Sequence, residues 1–131
     1  MADTMQFDLV SPERKLASYT ASQIEIPGAA GDLTAMPGHA RMITTLRPGV
    51  LKVKGAEGEK DYVVTGGFAE INDESISILA EKAMPLADTK AGDIEPFIEA
   101  AQAAASEAQG AARDIAEKQL ADFIALRDMV G

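Results

Sequence analysis

The chemistry available to this chain centres on one histidine, His39, in the stretch Gly31-Asp-Leu-Thr-Ala-Met-Pro-Gly-His-Ala-Arg-Met-Ile-Thr-Thr-Leu-Arg-Pro-Gly49. A Ser-His-Asp triad would have to recruit it, yet no serine stands in a nucleophile-elbow context. The chain has no cysteine, which removes thiolate catalysis, disulfides and cysteine metal sites, and a single histidine cannot build a multi-histidine centre. Carboxylate pairs occur at Glu57/Glu59 and Asp73/Glu74, in stretches that read as solvated loops rather than acid–base pairs. Neither a P-loop nor a G-x-G-x-x-G run is present. The methionines, Met36, Met42 and Met84 among them, suit core gap-filling. The residues therefore predict no catalytic group, no cofactor and no metal, with His39 as a turn residue held by a structural hydrogen bond.

The elements around His39 read as β structure. Proline presets the first central position of a turn and glycine accepts φ > 0 at the second, so Pro37-Gly38 and Pro48-Gly49 predict tight reversals in hairpin-like surroundings. Met5, Phe7 and Leu9 alternate with polar neighbours until Ser11-Pro12. Gln23-Ile-Glu-Ile26 alternates again and is expected to stop at Pro27-Gly28. Leu51 and Val53 alternate with Lys52 and Lys54 up to Gly55-Ala-Glu-Gly58, and Tyr62-Val-Val-Thr65 is strongly β-forming. Gly66-Gly67 suggests a bulge or a close backbone approach. Ala69 and Ile71 are expected to face Ile76 and Ile78 across a turn at Asn72-Asp-Glu74. Eight to ten short strands at this spacing predict a β-sandwich over residues 1–86.

Residues 87–131 read as an antiparallel α-helical hairpin. Residues 95–131 hold eleven alanines, the best helix former. Ile94, Phe97, Ile98, Ala101, Ala105 and Ala108 recur on one face, with Asp93 as the expected N-cap and Pro96 in the first turn. Gly110 interrupts the pattern. Ala112, Ala116, Leu120, Phe123, Ile124 and Leu126 then supply the apolar side of a second helix. Facing alanines bury little area, so the hairpin is expected to be marginal alone.

The net charge of −9, from 21 acids and 12 bases, opposes nucleic-acid binding and attraction to anionic lipid. Residues 88–131 carry −5 of it, from nine acids and four bases. No stretch approaches the roughly 20 apolar residues of a membrane span, and Met1-Ala-Asp-Thr-Met-Gln shows no signal peptide. Direct membrane insertion is not expected.

Three blocks together resemble one family: Phe7-Asp-Leu-Val-Ser-Pro-Glu13; Ile26-Pro27 through Gly31-Asp-Leu33 and Pro37-Gly-His39 to Leu46-Arg-Pro-Gly49; and Gly66-Gly-Phe-Ala-Glu70 with Ile76-Ser-Ile-Leu-Ala80. They resemble the epsilon subunit of bacterial rotary proton-translocating ATP synthases. The resemblance implies a non-catalytic rotor-stalk subunit bound to the gamma subunit and the membrane rotor ring, with the catalytic alpha and beta subunits as further candidate partners. It implies a peripheral place on the cytoplasmic face of the bacterial inner membrane. By the same resemblance Asp32, Met36, Pro37, Gly38 and His39 match the ring end. In some members the hairpin binds ATP through a motif close to Ile/Leu-Asp-x-x-Arg-Ala. Here Ile94-Glu-Pro-Phe-Ile-Glu99 keeps the acid as Glu95 but places Ile98 where the arginine stands, so ATP binding is not expected. Glu95, Arg113, Lys118 and Arg127 remain as candidate regulatory residues of a weakened inhibitory hairpin. The alternative is a free-standing β-sandwich binding module with a helical dimerisation tail.

Overall fold

A computed structural model describes residues 4–56 and 58–130. Met1-Ala-Asp, Gly131 and Glu57 of the Glu57/Glu59 pair lie outside the described residues. The chain forms two compact units that divide between Ala87 and Asp88.

Among its described residues the first unit holds ten strands: β1 (Met5–Val10), β2 (Lys15–Ala21), β3 (Gln23–Gly28), β4 (Gly31–Ala35), β5 (Met42–Leu46), β6 (Gly49–Gly55), β7 (Gly58–Val64), β8 (Gly67–Ile71), β9 (Ser75–Ala80) and β10 (Ala83–Pro85). They hydrogen-bond in the order β10-β7-β6-β3-β5-β8-β9-β1-β2, with β4 on the other edge of β3. All pairings are antiparallel except β1 with β9. β3 is the corner: its start pairs with β6 (Ile24↔Val53) and its last residue with β5 (Gly28↔Leu46). Across the opposite seam the Tyr19 and Tyr62 hydroxyls meet at 3.1 Å, and the Ser22 amide donates to the Lys54 carbonyl at 2.7 Å. Burial and the Tyr62 contact push the Tyr19 phenol well above its ordinary pKa, so it stays protonated. The result is a sandwich closed nearly to a barrel.

The period-two pattern fills its interior. Met5, Phe7 and Leu9 from β1 join Ile24, Ile26, Leu51, Val53, Ile71, Ile76 and Ile78, all 2 % exposed or less. Each such side chain contributes about 1.5–3 kcal/mol of burial. The β8–β9 hairpin has the expected register, Ala69↔Ile78 and Ile71↔Ile76. Its turn is closed by Asn72 Oδ1, which accepts from the Glu74 and Ser75 amides at 2.9 and 2.8 Å. The close approach expected at Gly66-Gly67 is real, because a Cβ on Gly67 would lie 2.0 Å from the Leu79 carbonyl oxygen.

Three turn expectations need correction. β3 runs through Pro27-Gly28 rather than stopping there, since the Pro27 carbonyl accepts from the Arg47 amide at 3.0 Å and Gly28 pairs on both edges. Pro48-Gly49 is not a reversal: β5 and β6 both run antiparallel to β3, so the chain bends there and keeps its direction. Gly49 is needed for space, not for φ, because a Cβ would meet that of Pro27 at 2.8 Å. Pro37-Gly38 is a true turn, with the His39 amide donating to the Met36 carbonyl at 3.1 Å and Gly38 at φ +87°. It closes no hairpin, however, because β4 pairs with β3 while β5 pairs with β8 and β3. β2, whose alternation is weak, carried no explicit strand signal in the sequence.

The second unit is a helical hairpin of α1 (Ala91–Glu107) and α2 (Gly110–Met129). Phe97 stacks on Phe123 with ring centroids 5.5 Å apart, and Arg127 donates to Glu95 at 3.0 Å. Residue 95 opposite 127 and 97 opposite 123 is an antiparallel register. Ile94, Ile98, Ala101 and Ala105 are buried as the periodicity predicts. Lys90, not Asp93, is the N-cap; Asp93 stands three residues later, its carboxylate accepting from the Lys90 amide at 2.8 Å. Pro96 therefore falls in the second turn, where its ring nitrogen has no hydrogen to donate to the helix. Ala108 caps α1 from outside, and on α2 Ala112 and Ile124 are exposed while Ala116, Phe123 and Leu126 are buried. Gly110 takes the reversal at φ +62°.

Candidate functional site

β4 decides how the five residues from the His39 stretch are arranged. Asp32 pairs with Pro27 near its start, and Ala35 pairs with Ile24 at its end, immediately before Met36. Four residues of strand span about 13 Å, so Asp32 and the Met36–His39 turn occupy opposite ends of β4. They do not form one cluster.

At the first end the chain folds back between Gly28 and Gly31, and Asp32 is three-quarters exposed. The Arg47 guanidinium reaches over from the β5–β6 bend, pairing through Nη2 with the Asp32 carboxylate and donating through Nη1 to the Gly28 carbonyl at 2.7 Å. At the other end the Gly38 amide donates to the Asp73 carbonyl at 2.9 Å, which ties the Pro37-Gly38 turn to the β8–β9 turn. His39 Nδ1 lies 2.7 Å from the Ala40 carbonyl oxygen. A carbonyl can only accept, so Nδ1 carries the proton. No carboxylate orients His39 among the described residues, and none of their His, Asp and Glu side chains cluster as a metal site. This geometry can bind; it positions no general base.

The outer face of β5, β8 and β9 carries residues that the sequence analysis did not name as site residues, although Phe68 and Leu79 stand in its third block. Thr45 pairs with Phe68 and Phe68 with Leu79, which puts these side chains in one cross-strand row. Ile43, two residues from Thr45, lies on the same face. Ile43, Phe68 and Leu79 are 69 %, 54 % and 50 % exposed. The signal was present: Ala69/Ile71 and Ile76/Ile78 fix the inward phase, so Phe68 and Leu79 are apolar residues out of phase. Three exposed apolar side chains in one row differ from the singly scattered apolar residues of an ordinary surface.

In the hairpin, the candidate regulatory residues are engaged with one another or with their own helix. Arg113 pairs with Glu117 at 2.9 Å, Lys118 with Asp122 at 3.0 Å, and Arg127 with Glu95. Ile98 is buried on the apolar face of α1, so the position that would hold a cation holds a core side chain. No helix among the described residues is long and apolar enough to cross a membrane.

Comparison with known proteins agrees with this architecture. The family model described as the ATP synthase delta/epsilon chain, beta-sandwich domain, matches residues 4–86. The chain is 57 % identical over 127 residues to the ATP synthase epsilon chain of Jannaschia sp. (strain CCS1), covering 97 % of this chain and 96 % of the relative. It is 53 % identical over 131 residues to that of Fuscovulum blasticum, covering 100 % and 99 %. Among solved structures, a chain of the Euglena gracilis mitochondrial ATP synthase in rotational state 1 superimposes with a TM-score of 0.76 at 25 % identity, covering 98 % of this chain and 82 % of that one. A chain from the central stalk and c-ring of the Tetrahymena thermophila mitochondrial ATP synthase shares the fold, with a TM-score of 0.65 at 19 % identity over 95 % and 94 % of the two chains. Sandwich, hairpin and near-full-length relatives converge: the chain belongs to the ATP synthase delta/epsilon-chain family.

Proposed function

We propose that this chain is a non-catalytic subunit of the ATP synthase rotor stalk, seated between the gamma subunit and the membrane rotor ring. It would sit peripherally on the cytoplasmic face of the bacterial inner membrane. The observation that carries the reading is the outward apolar row of Ile43, Phe68 and Leu79, a face a stalk partner would cover. Asp32 at one end of β4 and the Met36-Pro37-Gly38-His39 turn at the other are proposed as two separate partner contacts, with Asp32 at the ring end. Tagged protein captured from detergent-solubilised membranes should bring gamma, catalytic and ring subunits in fixed ratio, and Phe68→Ser should cut that recovery at least tenfold. Recovery of the chain alone, from membranes whose ATP synthase is intact, would favour the free-standing binding module.

The hairpin is proposed to be a weak inhibitor of ATP hydrolysis, or none, and not to bind ATP. Three of its four cations are already paired with its own acids, and the ATP motif lacks its arginine. Removing residues 88–131 should leave the hydrolysis rate of the reconstituted complex within about twofold, an energetic change below about 0.5 kcal/mol. A several-fold rise would overturn this.

A further inference from the structure

We propose that Arg47 is a positioning residue that fixes the Gly28–Asp32 turn in one conformation for docking; this rests on the reading of Asp32 as a partner contact. Three bonds from one residue converge on that turn and on Pro27 just before it. The Arg47 amide donates to the Pro27 carbonyl at 3.0 Å, Nη1 to the Gly28 carbonyl at 2.7 Å, and Nη2 pairs with Asp32. The forked guanidinium can hold the carbonyl and the carboxylate together, which a lysine ammonium on a flexible stem does less well.

The backbone is built around the same point. A Cβ on Gly28 would lie 2.6 Å from the Gly31 carbonyl oxygen, and one on Gly49 would lie 2.8 Å from the Pro27 Cβ. The Ala29 amide donates to the Thr45 carbonyl at 2.9 Å, from the strand that leads into Arg47. The exposed tip is thereby joined to the β5–β6 bend rather than hanging from β3 and β4 alone. Asp32 is three-quarters exposed and Arg47 only about one-quarter, so the acid faces outward and the base reaches it from within. A turn that must pass torque to a ring it turns with gains from having its polar group held in place before contact.

The test uses full-length Arg47→Gln, Arg47→Lys and Asp32→Asn, each reassembled into the ATP synthase complex. Two quantities are read: amide hydrogen exchange over residues 28–33 in the isolated chain, and proton pumping per ATP hydrolysed in the complex. Arg47→Gln should speed exchange in that segment about tenfold, the size expected for loss of charge-assisted hydrogen bonds, and leave exchange in residues 67–80 unchanged. It should lower the pumping ratio several-fold, and Arg47→Lys should restore part of both. Unchanged exchange in Arg47→Gln overturns the proposal. So does faster exchange with a normal pumping ratio while Asp32→Asn lowers it, an outcome that keeps Asp32 as a contact. If neither Asp32→Asn nor Arg47→Gln alters pumping, the contact reading of Asp32 fails and the proposal falls with it.

Discussion

The sandwich interior is filled mainly by large side chains, whereas the hairpin buries four large ones, Ile94, Ile98, Phe123 and Leu126, among alanines. Phe7, Leu9, Ile24, Ile26, Ile71, Ile76 and Ile78 are all but fully enclosed in the first unit. On the facing sides of α1 and α2, Ala101, Ala105 and Ala116 are buried, with Phe97 stacked on Phe123 as the main aromatic contact. At about 25 cal/mol per Å², an alanine contributes a fraction of what an isoleucine does. Close approach of alanine-faced helices also leaves few side chains whose loss is decisive. The sandwich is thus specified by many interlocking large residues, and the hairpin by a few, Ile94, Ile98, Phe123 and Leu126, with an aromatic stack, one cross-helix ion pair and helix propensity.

Glycine substitutions break this comparison most sharply. Gly67→Ala forces a Cβ against the Leu79 carbonyl at a backbone φ of +130°, and should destabilise the sandwich by about 4 kcal/mol or more in denaturant titration. Gly92→Ala meets nothing within 4 Å on helix α1 and should raise hairpin stability by about 0.5–1 kcal/mol. A Gly67→Ala variant as stable as the parent would mean that β8 and β9 are not held at this spacing. The next contrast is Ile78→Ala against Phe123→Ala, each costing about 3 kcal/mol. Ile78→Ala should lower the melting of the near-ultraviolet tyrosine signal from Tyr19 and Tyr62. Phe123→Ala should bring forward the loss of helical far-ultraviolet signal and leave the tyrosine signal in place. Coincident melting in both variants would show that the two units do not differ in the way their cores suggest.

The smallest effect is a pH dependence within the sandwich. The Ser18 hydroxyl donates to Asp8 at 2.6 Å and, against a smaller opposing effect of burial, holds its carboxyl below the ordinary value, with Gln6 and Lys15 adding to it. A depressed folded pKa gives stability that is present above the unfolded value near 3.9 and is lost as pH falls through the folded value. Ser18→Ala should move the Asp8 titration back toward 3.9 in carboxyl NMR and flatten the acid limb of stability. An unmoved titration would assign the shift to Gln6 and Lys15 instead.

The local text carried a good deal of this molecule. Alternation at Met5, Phe7 and Leu9 placed β1 with its inward face, and Ala69/Ile71 against Ile76/Ile78 gave the β8–β9 register, because both depend on neighbours within a few residues. Alanine content and three-and-four spacing placed both helices and the reversal at Gly110. A proline–glycine pair, by contrast, looks the same whether the chain reverses or only bends. At Pro37-Gly38 it reverses; at Pro48-Gly49 it bends, because β5 and β6 both pair with β3, some twenty residues or more upstream. Asp32 and His39, seven positions apart, read as one patch in sequence and are set at opposite ends of β4 by the pairing of that strand with β3. Sequence by itself determined which residues are apolar, which are β-branched and where helix replaces strand, since these follow from each residue's own side chain. Only tertiary structure decided that Arg47 meets Asp32 and that Phe68 and Leu79 share an outer row, because those contacts require strands far apart in the chain to be brought side by side.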